Sequence, residues 1–76
     1  MQVKVLGTGC PKCIALEERV KKVAEKNNIP IELEKVTDIS DMMGYGVMMT
    51  PGLVIDGEVK SVGRIPSEEQ IREWMR

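Results

Sequence analysis

The chain has 76 residues, with 11 basic and 12 acidic side chains and a hydrophobic fraction of 42%. These values are typical of a soluble globular protein with one small core. The balanced charge offers no electrostatic field for nucleic acid or an anionic membrane surface, so we expect neither partner. No run of 18 apolar residues is present, and strand-like alternation begins at Gln2 where a signal peptide would lie. We therefore expect a cytoplasmic protein.

The first half of the chain predicts a strand, a helix and a second strand. Val3 and Val5 alternate with Lys4, and Gly7-Thr8-Gly9 forms a turn after this strand. Pro11 suits the first position of a helix. The helical spacing predicts an inward face of Cys13, Leu16, Val20, Val23 and Ala24, and an exposed face of Glu17, Glu18, Lys21, Lys22 and Glu25. Asn27-Asn28 ends the helix, and alternation over 31–36 predicts a half-buried strand.

The second half predicts a short helix, a hairpin and a final helix. Asp38 or Ser40 can cap the short helix. Asp56-Gly57 separates strands at 52–55 and 58–62 and is a strong signal for a tight antiparallel hairpin. A capping box starts the last helix, with Ser67 as the cap, Gln70 as its partner, and Ile71, Trp74 and Met75 facing inward. The order β-α-β-α-β-β-α predicts an α/β fold with a four-stranded mixed sheet flanked by helices.

Cys10 and Cys13 are the only cysteines, and they lie where the first strand gives way to the first helix. The helix N-terminus favours a thiolate, so Cys10 should be the more acidic thiol and attack a substrate disulfide. Cys13, one turn inward, would then resolve the mixed disulfide. Lys12 adds a nearby cation. Metal binding and an inert cysteine pair are the alternatives, but the absence of histidine excludes a Cys-His nucleophile pair and an imidazole metal site.

Two other segments carry possible site residues. Pro51 directly precedes a predicted strand, where it marks a bend, a sheet edge or a cis bond, although base rates favour trans. Met42 and Met43, at helical spacing, are interpreted as core residues. Met49 is the best candidate for a methionine on the binding surface, and Tyr45 could either pack or contact substrate.

The sequence resembles the thioredoxin and glutaredoxin superfamily. The resemblance rests on Cys10-Pro11-Lys12-Cys13 after a first strand, Thr50-Pro51 before a hairpin, Gly63 after the hairpin, and a terminal helix. Gly7-Thr8-Gly9-Cys10 and the stretch from Thr50-Pro51-Gly52 to Gly63-Arg64 resemble the small thioredoxin-like redox-active disulfide proteins of archaea and bacteria. The resemblance implies that residues 1–76 form one minimal thioredoxin-like domain.

The resemblance also implies a protein disulfide oxidoreductase in which Cys10 is the nucleophile and Cys13 the resolving thiol. It implies that Pro51 is cis and packs against the disulfide, that the Thr50 backbone pairs with a bound substrate strand, and that Gly63 forms a wall of the groove. The expected substrate-binding residues are Gly9, Pro11, Lys12, Met49, Thr50, Pro51 and Gly63. No resident metal or cofactor is expected.

Several positions depart from the larger relatives. Gly9 stands where thioredoxins usually have Trp, and Lys12 replaces the aromatic residue of the glutaredoxin Pro-Tyr pair. The first strand offers only Lys4 where thioredoxins carry a buried acid, which leaves Cys13 without an assigned proton acceptor. The segment Val62-Gly63-Arg64-Ile65 supplies one glycine and no acid, which disfavours a glutathione site. We therefore expect a monomer that exchanges with disulfide-containing proteins and is reduced by a thioredoxin-reductase-type donor.

Two further hypotheses come from other functional classes. Small domains with Gly-x-x-Cys-x-x-Cys can carry Cu(I), although those domains end in a strand and this chain should end in a helix. A redox-regulated adaptor would instead change its binding face near Met49 and Tyr45 when the disulfide forms or breaks.

Overall fold

Four strands and three helices make up the fold in a computed structural model that describes residues 1–75. Arg76, the last residue of the predicted terminal helix, lies outside the described residues. The elements are β1 (Gln2–Leu6), α1 (Pro11–Lys26), β2 (Glu32–Val36), α2 (Ile39–Gly44), β3 (Gly52–Ile55), β4 (Glu58–Val62) and α3 (Glu68–Trp74). The strands form one sheet in the order β2-β1-β3-β4. The order β-α-β-α-β-β-α is therefore confirmed.

The sheet is mixed, as expected for a minimal thioredoxin-like fold. β1 pairs parallel with β2 across the α1 crossover and antiparallel with β3, and β3 pairs antiparallel with β4. The turn between β3 and β4 has positive φ at Asp56 (49°) and Gly57 (82°), which the predicted tight hairpin requires. This topology places the end of β1 and the start of β3 next to each other, because Leu6 is opposite Gly52.

Side-chain caps explain where the helices begin. The Ser67 hydroxyl accepts a hydrogen bond from the Gln70 N–H at 3.1 Å at the start of α3. The Asp38 carboxylate accepts one from the Ser40 N–H at 2.7 Å, so Asp38 caps α2 and Ser40 lies within it. Pro11 occupies the first position of α1, where its missing N–H leaves no helix bond unmade.

Apolar side chains cover both faces of the sheet. On one face α1 and α3 pack on β1 and β3, with Leu16, Val20 and Ile71 fully buried against Val3 and Leu53. The inward face predicted for α1 is confirmed, since all five of its residues are 5% exposed or less. On the other face a smaller cluster contains Leu6, Val36, Met42, Val47 and Val54. Trp74 is only partly buried at the edge of the first cluster.

Two burial predictions are wrong. Met43 is 63% exposed, because adjacent residues on a helix point about 100° apart and Met42 is the one that faces the sheet. Glu17, expected on the exposed face of α1, is 9% exposed. Its carboxylate is accommodated by ion pairs with Lys21 at 3.1 Å and with Lys35, on β2, at 3.4 Å. Within residues 1–75, no helix is long and apolar enough to cross a membrane.

Candidate active site

The Cys10–Cys13 disulfide lies at the N-terminus of α1, where the sequence predicted it. Cys10 is the cap residue in extended conformation (φ −67°, ψ 161°), and its Sγ accepts a hydrogen bond from the Cys13 N–H at 3.2 Å. The two sulfurs are bonded, and the Cα atoms are 5.1 Å apart. Cys10 is half-buried, whereas Cys13 is only 5% exposed. The pair therefore has one sulfur nearer the surface and one inside.

This position favours negative charge on the Cys10 sulfur after reduction. The first N–H groups of a helix have no partner within the helix, and the Cys13 N–H is directed at Cys10 Sγ. The helix dipole adds a partial positive charge at the same end, worth about 0.3–1 kcal/mol to a nearby anion. Both effects stabilise the thiolate, which is the reactive species in disulfide exchange.

Gly7 lets the disulfide lie against the end of β1. A Cβ atom at Gly7 would overlap Cys13 Sγ and would lie 3.0 Å from Cys13 Cβ. The backbone there is held in place, because the Gly7 N–H donates to the Val36 carbonyl at 2.9 Å. The Gly7 position is also near Thr50, whose Cβ would be 3.8 Å from the added atom. The sequence predicts Gly7 only as part of a turn, and nothing in the residue pattern indicates this contact.

The Thr50–Pro51 peptide bond is cis, as the family resemblance implies. Pro51 is buried, and its carbonyl accepts a hydrogen bond from the Gly63 N–H at 2.8 Å. Gly63 has a positive φ of 74°, and the Met49 side chain lies 3.3 Å from where its Cβ would be. The structure thus brings Met49, Thr50, Pro51 and Gly63 into one wall, which adjoins Cys13 through Gly7.

The remaining expected contact residues lie at the loop before α1 and its first turn. Gly9, Pro11 and Lys12 are all exposed, and Gly9 has a φ of 86°. Tyr45 lies elsewhere: it packs against the smaller core cluster and its hydroxyl accepts a hydrogen bond from Lys4 Nζ at 2.9 Å. That hydrogen bond raises the pKa of Lys4 above its ordinary value. These contacts support the packing role for Tyr45.

An exposed apolar surface adjoins the Thr50 side of the site. Ile39, Met43 and Met48 are 66%, 63% and 86% exposed, and they line a shallow cleft of about 370 Å³ that also includes Thr8 and Thr50. Met49, 64% exposed, follows directly along the chain. Met42 joins the core and Met43 does not, so this surface carries one more methionine than the sequence predicts.

A second, smaller cleft of about 170 Å³ reaches Cys13 from the β2 side. Its lining includes Gly7, Cys13, Glu17, Lys35 and Thr37. Burial acts to raise the pKa of Glu17, but its hydrogen bonds to Lys21 and Lys35 outweigh that effect and hold the pKa below the ordinary glutamate value of 4.5. A carboxylate that remains charged therefore lines the same cleft as the inner cysteine. Among residues 1–75, no group of three or more potential metal ligands is present.

Comparison with known proteins agrees with this geometry. The family model described as a thioredoxin domain matches residues 1–76. A thioredoxin of Methanocaldococcus jannaschii is 40% identical over 74 residues, which cover 97% of this chain and 85% of that protein. A thioredoxin of Methanothermobacter thermautotrophicus is 34% identical over 73 residues, with 96% and 95% covered. This chain, with its Cys10–Cys13 disulfide at the start of α1, therefore belongs to the thioredoxin family of thiol-disulfide oxidoreductases.

Proposed function

We propose that this protein reduces disulfide-containing proteins, with Cys10 as the nucleophile and Cys13 as the resolving thiol. The observation that carries the assignment is the asymmetry of the pair. Cys10 is the more accessible cysteine and its sulfur accepts the helix N–H, whereas Cys13 is 5% exposed. An outer thiolate can reach a substrate sulfur, and an inner thiol can reach only the mixed disulfide that forms on Cys10.

The reaction proceeds in two thiol-disulfide exchange steps. The Cys10 thiolate attacks one sulfur of the substrate disulfide, forms a mixed disulfide and releases the other substrate sulfur as a thiolate. Cys13 then loses its proton and attacks Cys10 Sγ, which forms the Cys10–Cys13 disulfide and releases the second substrate thiolate. Two electrons pass from the protein dithiol to the substrate disulfide, and solvent protonates the released thiolates.

The substrate segment is proposed to bind beside the cis peptide bond as an extended strand. Thr50 is exposed at this point, and its backbone would pair with the substrate main chain. Pro51 and Gly63 form the floor and one wall, and the exposed Met49 side chain offers an adaptable apolar contact. Gly9, Pro11 and Lys12 would border the opposite side. Pairing through backbone groups suits a protein that accepts many substrate sequences.

The electron donor is proposed to be a reductase of the thioredoxin-reductase type. The names of the relatives support this choice, as does the absence of a Gly-Gly and acidic pair after β4 that would hold glutathione. We further propose that the chain acts as a monomeric cytoplasmic domain spanning residues 1–76. To test the donor, NADPH oxidation by a thioredoxin-reductase-type enzyme would be followed as it reduces the pure oxidised protein. Glutathione with glutathione reductase is the comparison.

A Cu(I) carrier and a redox-regulated adaptor are the alternative functions. The element order disfavours a Cu(I) carrier of the Gly-x-x-Cys-x-x-Cys type, because β2 and α2 lie between α1 and the hairpin, whereas in such a carrier the hairpin follows the first helix directly. A redox-regulated adaptor draws support from the exposed Met43 and Met48 beside the site. Equal partner binding by the oxidised and reduced protein would exclude the adaptor.

Trapping the intermediate tests the assigned roles. The Cys13→Ser variant, mixed with a disulfide-bonded protein, should accumulate a covalent complex that dithiothreitol reverses. The Cys10→Ser variant should form no such complex, since its remaining cysteine is buried. Accumulation in Cys10→Ser and none in Cys13→Ser would reverse the two roles and contradict the proposal.

A further inference from the structure

Glu17 is buried, although the helix pattern predicts an exposed residue at this position. It lies four residues after Cys13, so the two side chains are neighbours on one face of α1. Glu17 is 9% exposed, and it lines the same small cleft as Cys13. Its ion pairs with Lys21 and Lys35 hold the side chain in that position. The mechanism above makes no use of this charge.

The charged groups near Cys13 come from two elements. Cys10 is the cap residue before α1, Lys12 lies exposed in its first turn, and Glu17 follows one turn after Cys13 with Lys21 paired to it. On β2, Lys35 pairs with Glu17 and lines the same cleft as Cys13. β3 carries no titratable side chain. The one on β1, Lys4, is engaged with Tyr45 and Glu34. Glu17 is therefore the one described carboxylate that shares a cleft with the inner sulfur, and Lys35 is its counterpart of opposite sign.

We propose that the Glu17 carboxylate keeps the Cys13 thiol protonated in the reduced protein. Cys10 alone then ionises and begins the exchange. Glu17 is thus a positioning residue that acts on Cys13 through its charge. A negative charge one helical turn away opposes a second negative charge on Cys13. The helix N-terminus acts in the opposite sense on Cys10, so the difference in pKa between the two thiols increases. This inference rests on the roles proposed above for Cys10 and Cys13.

Glu17 acts through its charge and is poorly suited to accept the Cys13 proton itself. The two lysines hold its pKa below 4.5, whereas an ordinary thiol has a pKa of about 8.5. A base that weak matches the thiol poorly. When Cys13 attacks the mixed disulfide, its proton passes instead to solvent in the cleft, the Cys13–Cys10 bond forms, and the substrate thiolate leaves. Protonation of Cys13 also lengthens the life of the mixed disulfide.

Opposite charge changes at Glu17 and Lys35 test the proposal. The pKa of Cys13 would be measured in the reduced Cys10→Ser background by thiolate absorbance as a function of pH. Adding Glu17→Gln should lower that pKa by about one unit, because a unit charge one helical turn away has an effect of this order. Adding Lys35→Gln should raise it. Glu18→Gln is the matched control, since Glu18 is the next residue on the helix and is exposed.

The sign of the two shifts decides the outcome. Opposite shifts in the Glu17→Gln and Lys35→Gln variants, with little change in Glu18→Gln, would establish the charge effect, because general destabilisation would move both variants in the same direction. An unchanged or raised Cys13 pKa in Glu17→Gln, or a Lys35→Gln shift of the same sign, would overturn it. If circular dichroism shows that one variant is unfolded, the other carries the test. The titration needs no substrate, so its failure leaves the proposed exchange function untouched.

Discussion

Replacing Gly7 with alanine should destabilise the oxidised protein by about 1–3 kcal/mol, the usual cost of forcing an extra group into a packed site. The added Cβ would overlap Cys13 Sγ and approach Cys13 Cβ to 3.0 Å. Neither side can move away easily. Cys13 Sγ is bonded to Cys10, and the Gly7 N–H is hydrogen-bonded to the Val36 carbonyl. Gly7 does not have positive φ, so the effect comes from the overlap alone.

Thermal unfolding of the oxidised protein measures this cost. For a domain of this size 1 kcal/mol corresponds to about 4–8 °C, so the Gly7→Ala midpoint should fall by at least about 4 °C. Gly44→Ala is the matched control, because a Cβ at Gly44 meets nothing within 4 Å and the residue is helical. That variant should be as stable as the parent or slightly more stable.

A double-mutant cycle identifies the contact that is responsible. In a Cys13→Ala background the Sγ atom is absent, so Gly7→Ala should cost clearly less than it does in the parent. The reasoning would be refuted if the Gly7→Ala midpoint matched that of the parent. It would also be refuted if the same loss persisted without the Cys13 sulfur.

Three further changes test the rest of the fold. Ser67→Ala removes the cap that accepts the Gln70 N–H and should cost about 1 kcal/mol in urea unfolding, whereas an unchanged midpoint would contradict the cap. The ion pairs of Glu17 lower its folded pKa, so the stability they provide is present above pH 4.5 and is lost as the pH falls through the folded pKa. Glu17→Gln should therefore weaken the fall of stability at acid pH. An unchanged dependence of stability on pH would contradict the ion pairs. Tyr45→Phe removes the acceptor of the Lys4 hydrogen bond and should lower stability slightly in the same assay, while exchange activity is retained. A large loss of activity would point to substrate contact.

Periodicity and turn chemistry account for the success of the fold prediction. The alternation around Val3 and Val5 and the helical spacing from Leu16 to Val20 each match one buried face of a regular element. Asp56-Gly57 specifies the hairpin through backbone conformation, which depends little on distant contacts. Local rules of this kind can be read from a single sequence.

Burial of charged and soft residues depends on neighbours that are distant in the chain. Burial of Glu17 is possible because Lys35, on β2, compensates its charge, and no spacing rule on α1 reveals that partner. Met43 is exposed because Met42 packs into the smaller core cluster, and its neighbour on the helix then points about 100° away. In both cases tertiary contacts determine whether the side chain is buried, and the local sequence pattern does not.

The site was only partly predictable from the residues themselves. Cys10 and Cys13 were located by their spacing after a strand and before a helix. The cis conformation before Pro51 came from the family resemblance, since base rates favour trans. The role of Gly7 depends on how closely a sulfur from α1 approaches β1, and a glycine before a turn gives no sign of that distance.

Catalysed reduction of a protein disulfide by dithiothreitol tests the central claim most directly. Catalytic amounts of the parent protein should accelerate the reaction, and Cys10→Ser should abolish the acceleration because it removes the attacking thiolate. Circular dichroism would verify that the variant remains folded. Equal acceleration by the parent and Cys10→Ser, or none by the parent, would contradict disulfide exchange through Cys10.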